Sequence, residues 1–244
     1  MKIGTLDFTP SLFMTLVTMI AVAIFSTLAV WQLQRAYYKQ SITDKIAQQN
    51  QQAPLVINKT NINQINIEQQ QFRHVQLSGE FTATGEILLD NIVQQGKVGY
   101  FVFTPFQLSN SQQHVLINRG WVTVGNDRNQ LPNMAVPQGQ QHLTAVLKRP
   151  RSKPAFIGDT PADIEDNNRW LYLDIELLNR KQGLSLPLYT LQQTTDTGDG
   201  LKRNWDKYKN KAGMHIGYMI QWGAFALIVL IAFISLNLKR RKIT

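Results

Sequence analysis

The side chains best suited to chemistry in this sequence lie near its carboxyl end. His215, Tyr218 and Trp222 are spaced by three and four positions, which puts their rings on one face of a helix. Imidazole is a standard axial ligand of haem iron, and flat aromatic rings can wall a porphyrin pocket. We therefore interpret His215 as a candidate ligand of haem iron, lined by Tyr218 and Trp222. Simple hydration of a histidine at a membrane boundary is the other interpretation.

Residues elsewhere in the chain could complete this pocket. Trp31 would add a second aromatic wall, and Arg35 or Lys39 would offer a cation to the haem propionates. Arg35 and Lys39 share a helix face, so contact with lipid headgroups is the alternative for both. Met214 or Met219 could serve as a second soft ligand, and a copper(I) site of methionine and histidine stays open by the same reasoning.

Two long apolar segments must position these residues. The 23 residues 216–238 and the 27 residues 8–34 carry no formal charge. A helix of about 20 such residues can cross a bilayer. A signal peptide is the alternative for the first segment, but the run is longer than a signal core, which favours an uncleaved helix. The predicted organisation is a cytoplasmic N-terminus at 1–11, transmembrane helices at 12–34 and 214–238, a mainly β domain at 35–213 and a basic cytoplasmic tail at 239–244.

The distribution of charge predicts the orientation. The chain has a formal net charge of +9, and four consecutive basic residues occupy 239–242. Because cytoplasmic flanks collect Lys and Arg, we expect the β domain in the periplasm and the helices in a bacterial inner membrane. No amphipathic presequence precedes the first helix, which favours a bacterial protein. Most of the five cations between 202 and 211 are expected near anionic headgroups of the lipid bilayer, and nucleic acid is not an expected partner.

The segment between the helices has the pattern of a β domain. Alternating apolar residues predict strands at 72–81, 86–93, 98–108, 114–124, 143–148, 169–175 and 186–192. A short helix is expected at 174–182, with Asp174 as its cap and Gly183 at its end. The Gln- and Asn-rich stretch 48–71 resembles a loosely structured connector. The predicted architecture is a mainly antiparallel domain, either a curled sheet or a partly open barrel.

One strand carries an unusual combination of residues. Strict alternation would place Arg119 and Trp121 on the same face, in a row with Val115 and Ile117. An arginine in an apolar row needs a carboxylate, a carbonyl or an aromatic ring as its partner. Gly120 would let another backbone segment approach. An internal salt link is the structural interpretation, and contact with a ligand or a partner protein is the functional one.

The sequence offers little support for an enzyme. It has no cysteine, which excludes disulfides, thiolate zinc sites and haem attached through cysteine. Nucleophile-elbow, zinc-protease, phosphate-loop and dinucleotide-binding motifs do not occur. His74, His114 and His142 are dispersed and read as sheet or surface residues. A membrane-tethered hydrolase would need a serine and a base that the pattern does not reveal.

Several motifs together resemble the Surfeit locus protein one family, the assembly factors of haem–copper cytochrome c oxidase. The matching segments, in order along the chain, are WQLQRAYYK at 31–39, FRHVQLSGEF at 72–81, GYFVFTPF at 99–106, VLINRGWV at 115–122, LPLYTL at 186–191, GLKRNW at 200–205 and HIGYMIQW at 215–222. They span nearly the whole chain between two apolar helices. Met214 departs from the pattern, since many relatives carry a basic or polar residue at that position.

The resemblance implies a non-catalytic role in building cytochrome c oxidase subunit I. Some bacterial members bind haem a and pass it on from haem A synthase, and the histidine that opens their second helix maps onto His215. Haem a, subunit I and haem A synthase are therefore the expected cargo and partners. The alternative that keeps the same family is a cofactor-free scaffold that stabilises nascent subunit I.

Overall fold

The computed structural model describes residues 2–3, 6–82, 84–125, 130–132, 134–150, 153, 162 and 168–240. The chain divides into two compact units, one formed by Met1–Lys45 with Lys207–Thr244 and the other by Ile46–Asp206. Its helices are α1 Leu12–Gln51, α2 Ile67–Gln70, α3 Ile175–Gln182 and α4 Ala212–Asn237. Its strands are β1 Lys2–Ile3, β2 Leu6–Phe8, β3 Leu55–Val56, β4 His74–Phe81, β5 Ile87–Gln94, β6 Lys97–Leu108, β7 His114–Thr123, β8 Gln141–Lys148, β9 Arg169–Trp170, β10 Thr190–Gln193 and β11 Leu238–Arg240.

The first unit is built on α1 and α4, both long and apolar enough to cross a bilayer. This indicates a membrane-associated protein. Helix α1 has 40 residues and continues well past Gln34, so Arg35 and Lys39 lie on a helix, as their predicted common face requires. Good helix formers follow Gln34, and the first proline after α1 is Pro54, so nothing in the sequence stops the helix earlier. The predicted domain boundaries stay predictions, and residues 241–244 of the basic tail lie outside the described residues.

Short strands connect the beginning of α1 to the end of α4. Strand β2 pairs antiparallel with β1 on one side and with β11 on the other. The backbone N–H of Thr9 also donates to the carbonyl of Asn237 at 3.1 Å, and the rings of Phe8 and Phe233 meet edge to face at 5.8 Å. The residues before α1 and after α4 are therefore joined by backbone hydrogen bonds.

The second unit is an eight-stranded mixed sheet in the order β3-β4-β8-β10-β7-β6-β5-β9. Three neighbouring pairs, β3 with β4, β10 with β7 and β5 with β9, are parallel, and the other pairs are antiparallel. The end of β4 also pairs with β6, from Gly79 opposite Leu108 to Phe81 opposite Phe106. The sheet therefore curls back on itself, which confirms the expected curled sheet. The sheet buries an apolar cluster that includes Val75, Phe106, Ile117, Leu147 and Leu191.

Helix α3 agrees with the sequence prediction. The side chain of Asp174 accepts a hydrogen bond from the N–H of Leu177 at 2.8 Å, and Gly183 ends the helix in a left-handed conformation. The strand predicted at 169–175 is shorter, because β9 has only two residues and the chain then turns into this cap. The strand predicted at 186–192 begins at Thr190.

The stretch 48–71 is more ordered than the predicted connector. It contains the end of α1, strand β3, a turn of 3-10 helix at Ile62–Gln64 and helix α2. Asparagine side chains stabilise these turns, since Asn61 accepts from the N–H of Asn58 at 2.9 Å and Asn66 accepts from that of Glu68 at 3.0 Å. Ile57 and Ile62 are buried beneath them. The asparagine residues of this stretch therefore stabilise turns, and the stretch is not a loosely structured connector.

A β-bulge overturns the predicted orientation of Arg119 and Trp121. Between β6 and β7 the register passes from Val102 opposite Gly120 to Phe103 opposite Asn118, so Arg119 is an extra residue on its strand. Trp121 consequently lies opposite Phe101, whereas Arg119 contacts Thr104, and the two side chains point to opposite faces. Strict alternation along the sequence could not reveal this inserted residue.

The prediction for Gly120 is confirmed. The backbone groups of Trp121 and Lys202 exchange two hydrogen bonds of 2.8 and 2.9 Å beside it. A Cβ atom at Gly120 would lie 2.8 Å from the Cβ of Leu201 and 3.0 Å from the carbonyl oxygen of Lys202. Only a glycine leaves room for the segment around Lys202 to dock against β7.

Candidate functional site

A polar contact lies in the apolar seam between α1 and α4. The Nδ1 atom of His215 is 2.8 Å from the side-chain oxygen of Gln32. Gln32 is 8% exposed and His215 is half-buried. Because the oxygen of Gln32 is largely removed from water, the contact supplies each polar group with a partner. Sequence analysis missed Gln32, whose only signal is a polar side chain beside Trp31 in an uncharged run.

An aromatic cluster fills the same seam further along the helices. Trp222 stacks on Phe25 with ring centroids 5.8 Å apart and an interplanar angle of 20°. Phe225 packs against both rings at 5.7 Å. Trp222 follows His215 by seven residues, so the cluster lies about 10 Å below the imidazole along α4. The contact partner of Trp222 is therefore Phe25, whereas Trp31 was the residue with which the sequence analysis grouped it.

The remaining predicted site residues lie on the exposed surface of the first unit. Trp31 is 47% exposed, and the guanidinium carbon of Arg35 lies 5.7 Å from its ring centroid in a cation–π contact. Tyr218 is 46% exposed. Met214 is exposed and Met219 is half-buried. The structure thus brings His215 and Trp222 into the seam and leaves Trp31, Arg35 and Tyr218 on its margins.

The segment that leads into α4 presents a row of lysines. The hydroxyl of Tyr208 donates to the carbonyl of Lys39 at 3.4 Å, and the amide of Asn210 donates to the side-chain oxygen of Gln40 at 2.8 Å. These two contacts hold alternate residues of the segment against α1. Lys207, Lys209 and Lys211 lie between and beside them and are exposed. Cationic groups are therefore available at the end of the helix pair where His215 lies.

The donor chemistry at His215 fits an axial haem ligand. A carboxamide oxygen only accepts hydrogen bonds, so this contact is compatible with a neutral imidazole that is protonated at Nδ1 and keeps the lone pair of Nε2. Histidines that bind metals usually donate their other N–H to such an oxygen. Among the residues that the structure describes, no group of three or more His, Asp or Glu side chains could hold a bare metal ion. A single imidazole with a free Nε2 is the arrangement that a haem group needs.

The second unit contains a buried charge network around Arg119. Arg119 is 0% exposed, and its Nη1 and Nη2 atoms lie 3.1 Å from Glu86 Oε2 and 3.0 Å from Asp199 Oδ2. It also donates to the carbonyl of Ala135 and stacks over the ring of Phe81 at 5.3 Å. The Nε atom also donates to Asp199 and Nη1 to Thr104, so these contacts confirm the internal salt link and engage all five N–H groups of the guanidinium.

Arg203 joins the same network. Its Nη2 atom lies 2.7 and 2.8 Å from the two carboxylate oxygens of Asp199, and its Nη1 lies 3.1 Å from Asp196. Arg203 was grouped with cations expected near lipid headgroups, but its guanidinium binds carboxylates within the β domain. Lys202 is likewise engaged, with its ammonium 5.6 Å from the ring centroid of Trp121.

The network shifts two carboxyl groups in opposite directions. Burial by itself raises the pKa of Asp199, but hydrogen bonds from Arg203 and the charges of Arg203 and Arg119 together lower it below its ordinary value. Burial raises the pKa of Glu86 and outweighs the hydrogen bond from Thr104 and the charge of Arg119. Glu86 is therefore the member of the network whose ionisation costs stability.

The substitution Glu86→Gln should change how stability depends on pH. Because the folded state binds the Glu86 proton more tightly than the unfolded state, ionisation of Glu86 removes stability as pH rises above its ordinary pKa of 4.5. The free energy of unfolding of the wild type should fall relative to that of E86Q over this range. Urea unfolding of both proteins in detergent at a series of pH values measures the difference. A wild-type free energy of unfolding that rises relative to that of E86Q as the pH increases would contradict the direction of the shift.

A groove on the sheet surface contains the one serine–histidine contact among the described residues. The groove has a volume of about 380 Å³, and Ser78 Oγ lies 2.7 Å from Nδ1 of His142 on its wall. The two residues face each other across β4 and β8. Within the described part of the chain no carboxylate contacts His142, so the pair lacks the third group that orients a catalytic base. The contact is that of a cross-strand pair.

Comparison with known proteins gives one coherent family. The sequence model described as the SURF1 family matches residues 19–227. The chain is 25% identical over 215 residues to a SURF1-like protein of Drosophila melanogaster, covering 80% of this chain and 68% of that protein. It is 29% identical over 160 residues to the Cytochrome oxidase assembly protein SHY1 of Saccharomyces cerevisiae, covering 64% of this chain and 40% of that protein. It is 19% identical over 210 residues to Surfeit locus protein 1 of Takifugu rubripes, covering 80% and 85%.

Proposed function

The chain belongs to the SURF1 family, and on this premise we propose that it acts in the assembly of cytochrome oxidase. The printed name of the yeast relative, an oxidase assembly protein, supports this role. The chain has two helices suited to crossing a bilayer, as expected for a protein that helps to assemble a membrane complex. The role is non-catalytic: the protein holds and presents a component while the oxidase is built.

The component that we propose is haem a, received from haem A synthase and passed to subunit I. The observation that carries this proposal is the half-buried imidazole of His215, whose Nδ1 is bonded to Gln32 and whose Nε2 is therefore free to bind iron. The aromatic cluster of Phe25, Trp222 and Phe225 closes the seam below it. Binding through one histidine is compatible with transfer, since a single protein ligand is easily exchanged.

The charged and aromatic groups around the seam would orient the cargo. Arg35, Lys39 and the lysine row at Lys207, Lys209 and Lys211 are the cations available to the two propionates. Trp31 and Tyr218 offer exposed ring faces beside the seam. We place the protein in a bacterial inner membrane. Because the basic C-terminal tail would stay in the cytoplasm, the β domain would lie in the periplasm.

The substitution His215→Ala tests the haem proposal. The full-length protein would be purified in detergent from cells that co-express haem A synthase, and its absorption spectrum recorded. The wild type should carry a haem a spectrum, and H215A should lose it because the iron ligand is gone. His142→Ala is the matched control and should keep the spectrum, since His142 lies on the sheet surface. Equal pigment in H215A and the wild type would contradict the assignment of the ligand.

A cofactor-free scaffold for nascent subunit I is the second candidate. The observation that favours it is that Gln32 already gives the imidazole of His215 a hydrogen-bond partner. The contact could therefore serve only to hold α1 and α4 together. In that case the wild type would be colourless after co-expression with haem A synthase. Deletion of the protein would still lower the amount of assembled oxidase, which a haem-independent assay of subunit I would detect.

A further inference from the structure

We propose that Gln32 is a positioning residue for His215, and that its side-chain oxygen selects the imidazole tautomer able to bind iron. This inference rests on the haem-binding function proposed above. Gln32 would not touch the iron. It would hold the proton on Nδ1 and thereby keep Nε2 unprotonated and directed away from α1.

The geometry of the contact carries the first step. The Nδ1 atom of His215 and Oε1 of Gln32 are 2.8 Å apart, a full-strength hydrogen bond. Gln32 is 8% exposed, so water competes little for its oxygen. The described residues give the imidazole no other side-chain partner. A bond of this kind should shift the balance between the two neutral tautomers by about ten-fold toward the form protonated at Nδ1.

The identity of the partner carries the second step. The usual partner of a metal-bound histidine is a carboxylate or a carbonyl oxygen. A carboxamide supplies the same kind of acceptor oxygen as a carboxylate, without its charge. Gln32 is therefore suited to orient the imidazole of a metal ligand. It also ties the ligand to α1, although the ligand itself belongs to α4.

Three variants separate positioning from packing. Gln32→Leu fills a similar volume but removes the acceptor, Gln32→Glu restores an acceptor oxygen, and Gln34→Leu is the matched control at an exposed glutamine on the same helix. Full-length proteins in detergent would be labelled with ¹⁵N-histidine and examined without haem at a pH where imidazole is neutral. The four histidines of the chain are resolved by the loss of one signal in His215→Ala.

The expected result is a wild-type His215 protonated mainly at Nδ1, with the same tautomer in Q34L and Q32E and a mixture in Q32L. After loading, Q32L should bind haem a about 10- to 100-fold more weakly than the wild type. A wild-type tautomer protonated at Nε2, or a Q32L protein with an unchanged tautomer, would overturn the inference. If Q32L does not fold, the inference is tested by the tautomer of His215 in the wild type and in Q32E, and protonation at Nε2 in the wild type would overturn it. A wild type that shows the expected tautomer but never binds haem would contradict the proposed function and leave the role of Gln32 on the imidazole intact.

Discussion

The substitution Arg119→Met is expected to lower the free energy of unfolding of the β domain by about 3–5 kcal/mol. Removing the guanidinium leaves Glu86 without its cation and leaves Asp199, which is only 1% exposed, with Arg203 as its remaining cation. It also leaves the carbonyl of Ala135 without its donor. Urea or thermal unfolding of the full-length protein in detergent measures the change, which corresponds to a melting temperature lower by roughly 6 to 20 °C.

The control for this prediction is Arg149→Met. Arg149 pairs with Glu68 on the exposed surface of the same domain, where an ion pair contributes at most about 1 kcal/mol. Arg119→Lys should recover little, because an ammonium cannot reach Glu86, Asp199 and Ala135 from one position. A melting temperature of R119M within a few degrees of that of R149M would show that the network does not stabilise the domain.

The substitution Gly79→Ala should be comparably damaging for a different reason. A Cβ atom at Gly79 would overlap the carbonyl oxygen of Gln107 and lie 2.7 Å from the ring of Phe106. The obstacle is a backbone atom of the neighbouring strand, which cannot rotate away, so β4 must move off β6. We expect a loss of about 3 kcal/mol, at the upper end of typical overpacking effects.

Gly125→Ala is the matched control for this second prediction. A Cβ atom at Gly125 would meet nothing within 4 Å, so the variant should unfold within about 0.5 kcal/mol of the wild type. The two variants add the same methyl group to the same domain, which isolates the close approach of β4 and β6. If G79A melted together with G125A, the curled closure of the sheet would not contribute to stability.

Local patterns in the sequence predicted the elements well. The uncharged runs at 216–238 and 8–34 lie within or across the two long helices because the rise of a helix and the thickness of a bilayer set their length. Period-two alternation located β4 to β8, and the Asp174 cap located α3, since both are short-range properties of the chain. The turn back of β4 onto β6 involves residues far apart in sequence, which no local pattern encodes.

The arrangement of the candidate site was less accessible. The sequence indicated His215, but which polar residue of α1 contacts it depends on how the two helices meet, and the run 8–34 offers both Gln32 and Gln34 without distinguishing them. The bulge at Arg119 inserts one residue and reverses the face of everything after it, so Trp121 was placed on the wrong side. Arg203 was read as a surface cation because its partners, Asp199 and Asp196, lie in a loop whose folding brings them close.

The backbone ladder between β2 and β11 restricts how the two long helices can separate. Two helices tied at one end in this way cannot shift lengthwise by a residue without exchanging every bonded partner in the ladder. The alignment of Gln32 with His215 is thus held by pairing roughly 35 Å away along the helix axes. The opposite end of the helix pair is held by side-chain contacts from Tyr208 and Asn210 to α1, so removing the residues before α1 should make the helices easier to separate and harder to align.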